Sequence, residues 1–244
     1  MKLAVEKLEA GYQGKTVVKD VSFTVEKGEF ISLIGPSGCG KSTVLKVLAG
    51  LLEPMAGTIM VDEAPLQGAS RHFSYMPQSD LLLDWYDILD NVCLYGKIHG
   101  KKKEAQQQAL ENLKEFGLAG YEHAYPSQLS GGMRQRAAFL RTALCDSDIL
   151  LLDEPFGALD VITREDMQDW LNRMRQRLDR TTLLVTHDID EAIYLSDRIL
   201  ILGQRPATIT RIVDVRHPHK DRAWLYAQGE LRAAIHQELS HEVL

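Results

Sequence analysis

Gly35-Pro36-Ser37-Gly38-Cys39-Gly40-Lys41-Ser42-Thr43 decides the reading of this 244-residue chain. The stretch has the form G-x-x-x-x-G-K-[ST]. It lies between an apolar run (Phe30, Ile31, Leu33, Ile34) and a helical pattern (Val44, Leu45, Val47, Leu48). A buried strand ends there, glycines let the backbone wrap closely, and a helix begins with its free N–H groups aimed at the loop. Such amides form a cup for a β-phosphate, and Lys41 adds a mobile positive charge that reaches the β- and γ-phosphates. The Ser42 hydroxyl is an oxygen donor of the kind Mg²⁺ prefers. A glycine-rich turn that matched by accident would rarely have a strand before it and a helix after it, so the stretch points to nucleotide binding.

The whole chain sets the limits of that reading. Its length suits one α/β unit with a sizeable core. A formal charge of −6 argues against an electrostatic grip on nucleic acid. Cys39, Cys93 and Cys145 match neither a metal site nor a disulfide framework, which suits a reducing compartment. Met1-Lys2-Leu3 leads at once into a mixed strand pattern with no signal peptide, and no apolar run is long enough to cross a bilayer. Any membrane role is therefore expected to come through a partner.

Further candidates surround the loop. Ile149-Leu150-Leu151-Leu152-Asp153-Glu154 is an apolar strand ending in two acids, which are costly to bury unless something compensates them. In open α/β sheets ligands gather at the carboxyl ends of the strands. Asp153 is thus expected to hold Mg²⁺ directly or through water, and Glu154 to orient and polarise an attacking water. Gln78, after the strand His72 to Met76, is either simply polar or an amide ligand for the metal combined with a hinge. His187, after the strand Thr181 to Thr186, is either a structural hydrogen-bonder or a group at the ligand edge. Tyr12, in a polar loop from Gly11 to Lys15, is either a surface tyrosine or a flat platform for a base. Ser130-Gly131-Gly132, preceded by Gln128 and Leu129 and followed by Met133-Arg134-Gln135-Arg136, caps a helix and exposes a second set of amides suited to an anion.

Strands are expected in residues 1–34, where Val21, Phe23 and Val25 alternate with polar residues, and again at Thr58 to Val61. From about Asp80 to Leu144 the pattern is helical, with Ala105, Ala109, Leu110, Leu113 and Phe116 on one face and Gly117 closing that helix. Lys101-Lys102-Lys103 reads as a solvated run. Leu81-Leu82-Leu83 with Trp85 and Tyr86 is either core or a docking patch. Thr163 to Leu178 is amphipathic, with Met167, Trp170, Leu171, Met174 and Leu178 on one stripe and Thr163 with Asp166 as a capping pair. A helix holding Trp224, Leu225, Leu231 and Ile235 closes the chain.

Taken in order, the phosphate loop, Gln78, L-S-G-G-M-R-Q-R from Leu129, I-L-L-L-D-E-P from Ile149, A-L-D at Ala158 to Asp160, and His187 resemble the nucleotide-binding subunit of an ATP-binding-cassette transporter. The match runs from about Leu3 to Leu202. It implies a P-loop NTPase core with a mostly parallel sheet, an N-terminal antiparallel β subdomain and an inserted helical subdomain. Residues 1–79 and 145–215 would form the core, 80–144 the helical part and 216–244 a C-terminal helical tail. It also implies a head-to-tail pair of identical chains. Each ATP would lie between Tyr12 and Gly35–Thr43 of one copy and Gln128, Ser130, Gly131, Gly132, Gln135 and Asp160 of the other. Glu154 is then the base, His187 reaches the γ-phosphate, and Gln78 links Mg²⁺ to integral membrane permease subunits that dock at Leu81 to Tyr86. The expected location is the cytoplasmic face of the cell membrane, with an extracytoplasmic solute-binding protein as an indirect partner. The run Glu154 to Asp160 and the pair Arg205-Pro206 look most like importers of nitrate, sulfonate, taurine or bicarbonate, a group that includes importers of thiamine pyrimidine precursors. A cassette ATPase acting on DNA or ribosomes is the competing expectation, as is a phosphate-loop kinase. The first usually carries long coiled-coil insertions or two fused cassettes, and the second leaves Ser130 to Arg136 without a purpose.

Overall fold

The computed structural model describes residues 1–66, 68, 70–178 and 180–241, apart from the side chains of 176–178 and 241. The expected place of Leu178 on the apolar stripe, and the last three residues of the tail, lie outside that description.

Two sheets organise the chain. The first is antiparallel, in the order β2 (Lys15–Val25), β1 (Leu3–Tyr12), β4 (Ala56–Val61), β5 (Ala64–Pro65). The second runs β10 (Ile209–Asp214), β9 (Arg198–Leu202), β3 (Phe30–Ile34), β8 (Thr181–Val185), β7 (Ile149–Asp153), β6 (Phe73–Met76). It is parallel from β9 to β6, with β10 antiparallel at one edge. Strands β3, β7 and β8 are buried along their whole length, as expected for parallel strands covered on both faces.

Alternation along these strands divides the core. Ile149 and Leu151 face helix α1 (Lys41–Leu48) and the antiparallel sheet, whereas Leu150 and Leu152 face the remaining helices. Four of those helices fall between β6 and β7: α2 (Ile88–Val92), α3 (Leu94–Ile98), α4 (Lys102–Leu113) and α5 (Gly131–Ala143). Next come α6 (Val161–Leu178) and α7 (Ile189–Leu195), and the chain ends with α8 (Arg222–Tyr226) and α9 (Gly229–His241).

Several local expectations are corrected. Tyr12 is not in a loop but ends β1, paired with Lys15. Leu110 is exposed, because α4 buries the narrower stripe Ala105, Ala109 and Leu113. Helix α6 starts two residues earlier than Thr163, and its first turn is capped by Asp160. The Asp160 Oδ1 accepts from the Thr163 amide at 3.1 Å, and Oδ2 accepts from the Thr163 hydroxyl at 2.7 Å. The tail holds two helices rather than one, broken at Ala227 and Gln228.

Candidate functional site

Because β9, β3, β8, β7 and β6 are parallel, the residues that follow each of them emerge at one edge of the sheet. That edge collects the Gly35–Thr43 loop, Gln78, the Asp153-Glu154 pair and His187.

The loop is tightly held. A side chain on Gly35 would meet the Leu202 carbonyl oxygen at 2.7 Å, and one on Gly40, whose φ is +130°, would meet Val18 Cγ1 at 2.5 Å. Glycine is required at both positions because neighbouring strands occupy the space of a Cβ. Lys41 is buried, and its ammonium donates to the carbonyls of Gly35 (2.8 Å) and Pro36 (3.0 Å), so the charge is kept over the loop. The Cys39 thiol packs as a small side chain, and burial pushes its pKa up.

Asp153 is only 5% exposed, and two hydroxyls compensate its burial. Its Oδ1 accepts from the Ser42 hydroxyl at 2.8 Å and its Oδ2 from the Tyr75 hydroxyl at 2.9 Å. Burial and the neighbouring carboxylate push the Tyr75 pKa well up, so the phenol remains a donor. Tyr75 was not singled out from the sequence. Its only signal there is its place in β6 beside the strand that ends at Asp153. Ser42 and Asp153 together are hard oxygen donors that suit Mg²⁺.

Glu154 adopts a φ of +46°, and its amide donates to the Val185 carbonyl at 2.9 Å. That unusual backbone turns the side chain toward two neighbours. Oε2 lies 3.2 Å from Gln78 Nε2 and 3.3 Å from His187 Nδ1. Three residues from three strand ends thus meet at one carboxylate oxygen. Tyr12 is 45% exposed at the end of β1.

At the second helix start, the Ser130 hydroxyl accepts from the Met133 amide at 3.3 Å, and a side chain on Gly132 would meet Thr163 Cγ2 at 2.5 Å. Gln128 is exposed but turned on its own backbone, accepting from the Tyr125 amide at 2.8 Å. Gln135 departs from the expectation that it faces a nucleotide. It is buried, and its amide donates to the Pro155 carbonyl, which ties α5 to the segment after Glu154. At about 100° per residue, the five residues from the exposed Ser130 cap to Gln135 leave it about 140° round the helix, which carries the side chain inward. Asp160 is fully exposed, and its hydrogen bonds from Thr163 hold its carboxyl below the usual range.

The segment after Gln78 is pinned to α5, since Arg134 pairs with Asp80 at 3.2 Å and Arg141 donates to the Asp80 and Leu81 carbonyls. The buried Asn91, also unmarked in the sequence, donates to the carbonyls of Leu83, Tyr86 and Asp87. The apolar patch is consequently split. Leu82 is core, whereas Leu81 (61%) and Trp85 (70%) are exposed. Elsewhere Asp62, His72 and Asp148 cluster, but the Lys2 ammonium bridges Asp62 (2.6 Å) and Asp148 (3.0 Å), so a cation of the chain already serves these acids.

A family model described as ABC transporter matches residues 18–157. The chain belongs to the ABC transporter family. It is 41% identical over 234 residues to the taurine import ATP-binding protein TauB of Yersinia pestis bv. Antiqua (strain Antiqua), covering 96% of this chain and 90% of the relative. It is 49% identical over 208 residues to the aliphatic sulfonates import ATP-binding protein SsuB 1 of Rhodococcus jostii (strain RHA1), covering 85% and 80%. Among solved structures it resembles the dimeric ATP-binding cassette MJ0796 bound to ADP and Pi, at a TM-score of 0.74 and 28% identity, over 88% of this chain and 99% of that one. As an ABC cassette the chain binds ATP and is an ATPase, and the phosphate-loop α/β fold read from its sequence is the one its structural neighbours have. No helix among the described residues is long and apolar enough to cross a membrane.

Proposed function

We propose that this ABC cassette is the ATP-hydrolysing motor of an importer for a small organic acid of the taurine or alkylsulfonate kind, working as a pair of identical chains beneath permease subunits at the cytoplasmic face of the membrane. The observation that carries the reading is the meeting of Gln78, Glu154 and His187 beside the Ser42–Asp153 hydrogen bond, at the edge where the phosphate loop opens. The relatives named for taurine and sulfonate import support the solute class, and the dimeric cassette supports the pair.

Gly35–Thr43 cradles the triphosphate, with Lys41 turning from the Gly35 and Pro36 carbonyls to the phosphates. Ser42, Asp153 and the amide oxygen of Gln78 would hold Mg²⁺, which when bound neutralises phosphate charge. Glu154 holds the attacking water through the carboxylate that Gln78 and His187 orient. Tyr12 supplies a face for the base. Ser130, Gly131 and Gly132 offer their helix start to the nucleotide of the second copy, beside Asp160. Residues 80–144 act as the helical lever on the catalytic core, and Leu81 and Trp85 present the surface for the permease.

Glu154→Gln tests the reading. It keeps the phosphate cradle but removes the carboxylate that orients water. We expect ATP binding close to that of the parent, hydrolysis reduced by about a hundredfold or more, and ATP-dependent dimers on size-exclusion chromatography. Normal turnover in this variant removes Glu154 from its role.

A further inference from the structure

The pair Arg205-Pro206, which follows β9, has no part in the site described so far. Its position is set by pairing. Strand β9 lies directly beside β3 in parallel register, with Ile201 opposite Ile34, so the chain leaving β9 emerges next to the phosphate loop. The turn is closed by the Gly203 amide on the Thr208 carbonyl at 3.0 Å. It is fastened to β2 by Ala207, whose amide donates to Val17 at 2.9 Å and whose carbonyl accepts from Lys19 at 2.9 Å. Leu202 at its base touches Gly35 closely enough to forbid a side chain there.

Held in this way, the turn carries one exposed cation to the loop. Arg205 Nη2 lies 3.7 Å from the point a Cβ would occupy on Gly38, one of the loop residues whose amides form the phosphate cup. The guanidinium makes no hydrogen bond or ion pair with a carboxylate among the described residues, unlike Arg175, Arg198, Arg222 and Arg232, which are paired with acids. Its charge is felt at the Cys39 thiol together with that of Lys41. A planar five-donor fork of fixed charge beside an anion-binding backbone is suited to phosphate oxygens, and its position on a fastened turn reduces the ordering cost of the contact.

We propose that Arg205 is a nucleotide-contact residue, its guanidinium donating to the phosphates of a nucleotide seated in Gly35–Thr43. This rests on the reading that the loop holds ATP. Lys41 and Arg205 then share the polyphosphate, and Arg205, coming from outside the loop, strengthens binding without taking part in water attack.

The test is binding of ATP, ADP and adenosine to the full chain by calorimetry, with EDTA present, for the parent and for Arg205→Ala, Arg205→Lys and Lys41→Ala. For Arg205→Ala we expect ATP and ADP to weaken by roughly five- to twentyfold, adenosine to bind as in the parent, and binding to become less sensitive to salt. Arg205→Lys is expected to recover part of the loss because it keeps the charge. In steady state Arg205→Ala is expected to raise KM for ATP in step with the weakened binding, and Arg205→Lys to raise it less. If Lys41→Ala weakens ATP binding while Arg205→Ala leaves ATP and ADP unchanged, the proposal is overturned and the reading of the loop stands. If Arg205→Ala weakens adenosine as much as ATP, the residue acts through packing of the turn, and the proposal is likewise overturned. If Lys41→Ala has no effect, the reading of the loop itself fails and the proposal fails with it.

Discussion

At the scale of the residue, Asp153 shows how a buried carboxylate is kept ready for a cation. Each oxygen accepts one hydroxyl, from Ser42 and from Tyr75, so burial leaves neither unsatisfied. Tyr75→Phe keeps the ring and removes only the donor, leaving Oδ2 in a dry place without its partner. We expect a loss of about 1–2 kcal/mol in urea unfolding, seen as a lower midpoint at unchanged slope. A midpoint equal to that of the parent would mean that water replaces the phenol. Asp153 could be read from the sequence because an acid ending an apolar strand is costly, whereas Tyr75 could not. A tyrosine in a short strand is ordinary, and only the parallel pairing of β6 with β7 brings it to the acid.

At the scale of the element, the two helix starts at Ser130 and Val161 constrain each other. Gly132 leaves no room for a methyl group against Thr163 Cγ2, and Thr163 is in turn fixed by both oxygens of Asp160. Gly132→Ala therefore forces the start of α5 away from that of α6, at a cost of about 1–3 kcal/mol. Adding Thr163→Ser deletes the offending methyl and keeps the hydroxyl for Asp160, so most of the loss is expected to return. The check is thermal and urea unfolding of the parent, both single variants and the double variant. An additive double variant would place the strain elsewhere. The Ser130 cap was visible as Ser-Gly-Gly before an apolar period. The cap of α6 is Asp160, although Thr163 with Asp166 fits the same local pattern, and the choice between them depends on where the preceding loop directs the chain.

At the scale of the whole molecule, the helix that follows His187 is fastened to α6 through a buried acid. Glu191 is buried, its Oε1 has no hydrogen-bond partner among the described residues, and its Oε2 is 3.5 Å from Gln168 Nε2. Burial, reinforced by the Asp188 carboxylate, pushes its pKa up to about 8 against the opposing effects of Thr186, Gln168 and Arg164. The folded chain thus holds this proton up to about pH 8, whereas the unfolded chain releases it near 4.5. Stability from this group is fully present below the lower value and declines as pH rises toward the upper one. Glu191→Gln is expected to flatten that decline in urea unfolding at a series of values from about pH 5 to about pH 8, and to be more stable than the parent at the alkaline end. Equal slopes for the two chains would remove Glu191 as the cause. The tail is tied to the same helix, since the Lys220 ammonium donates to the carbonyls of Ile193 (2.7 Å) and Ser196.

The sequence by itself determined the phosphate loop, the buried strands around it, the two acids after β7 and the order of the cassette motifs, because each depends on residues near one another in the chain and on periods of 2 or 3.6. Only the tertiary structure decided that Gln135 turns inward to Pro155, that Tyr75 serves Asp153, and that Gln78 and His187 share one oxygen of Glu154. It alone set Arg205 against Gly38. The physical reason is strand order. Local preference says that a strand forms, but which strand lies beside it is settled by packing across the sheet, and that neighbour decides which side chains meet.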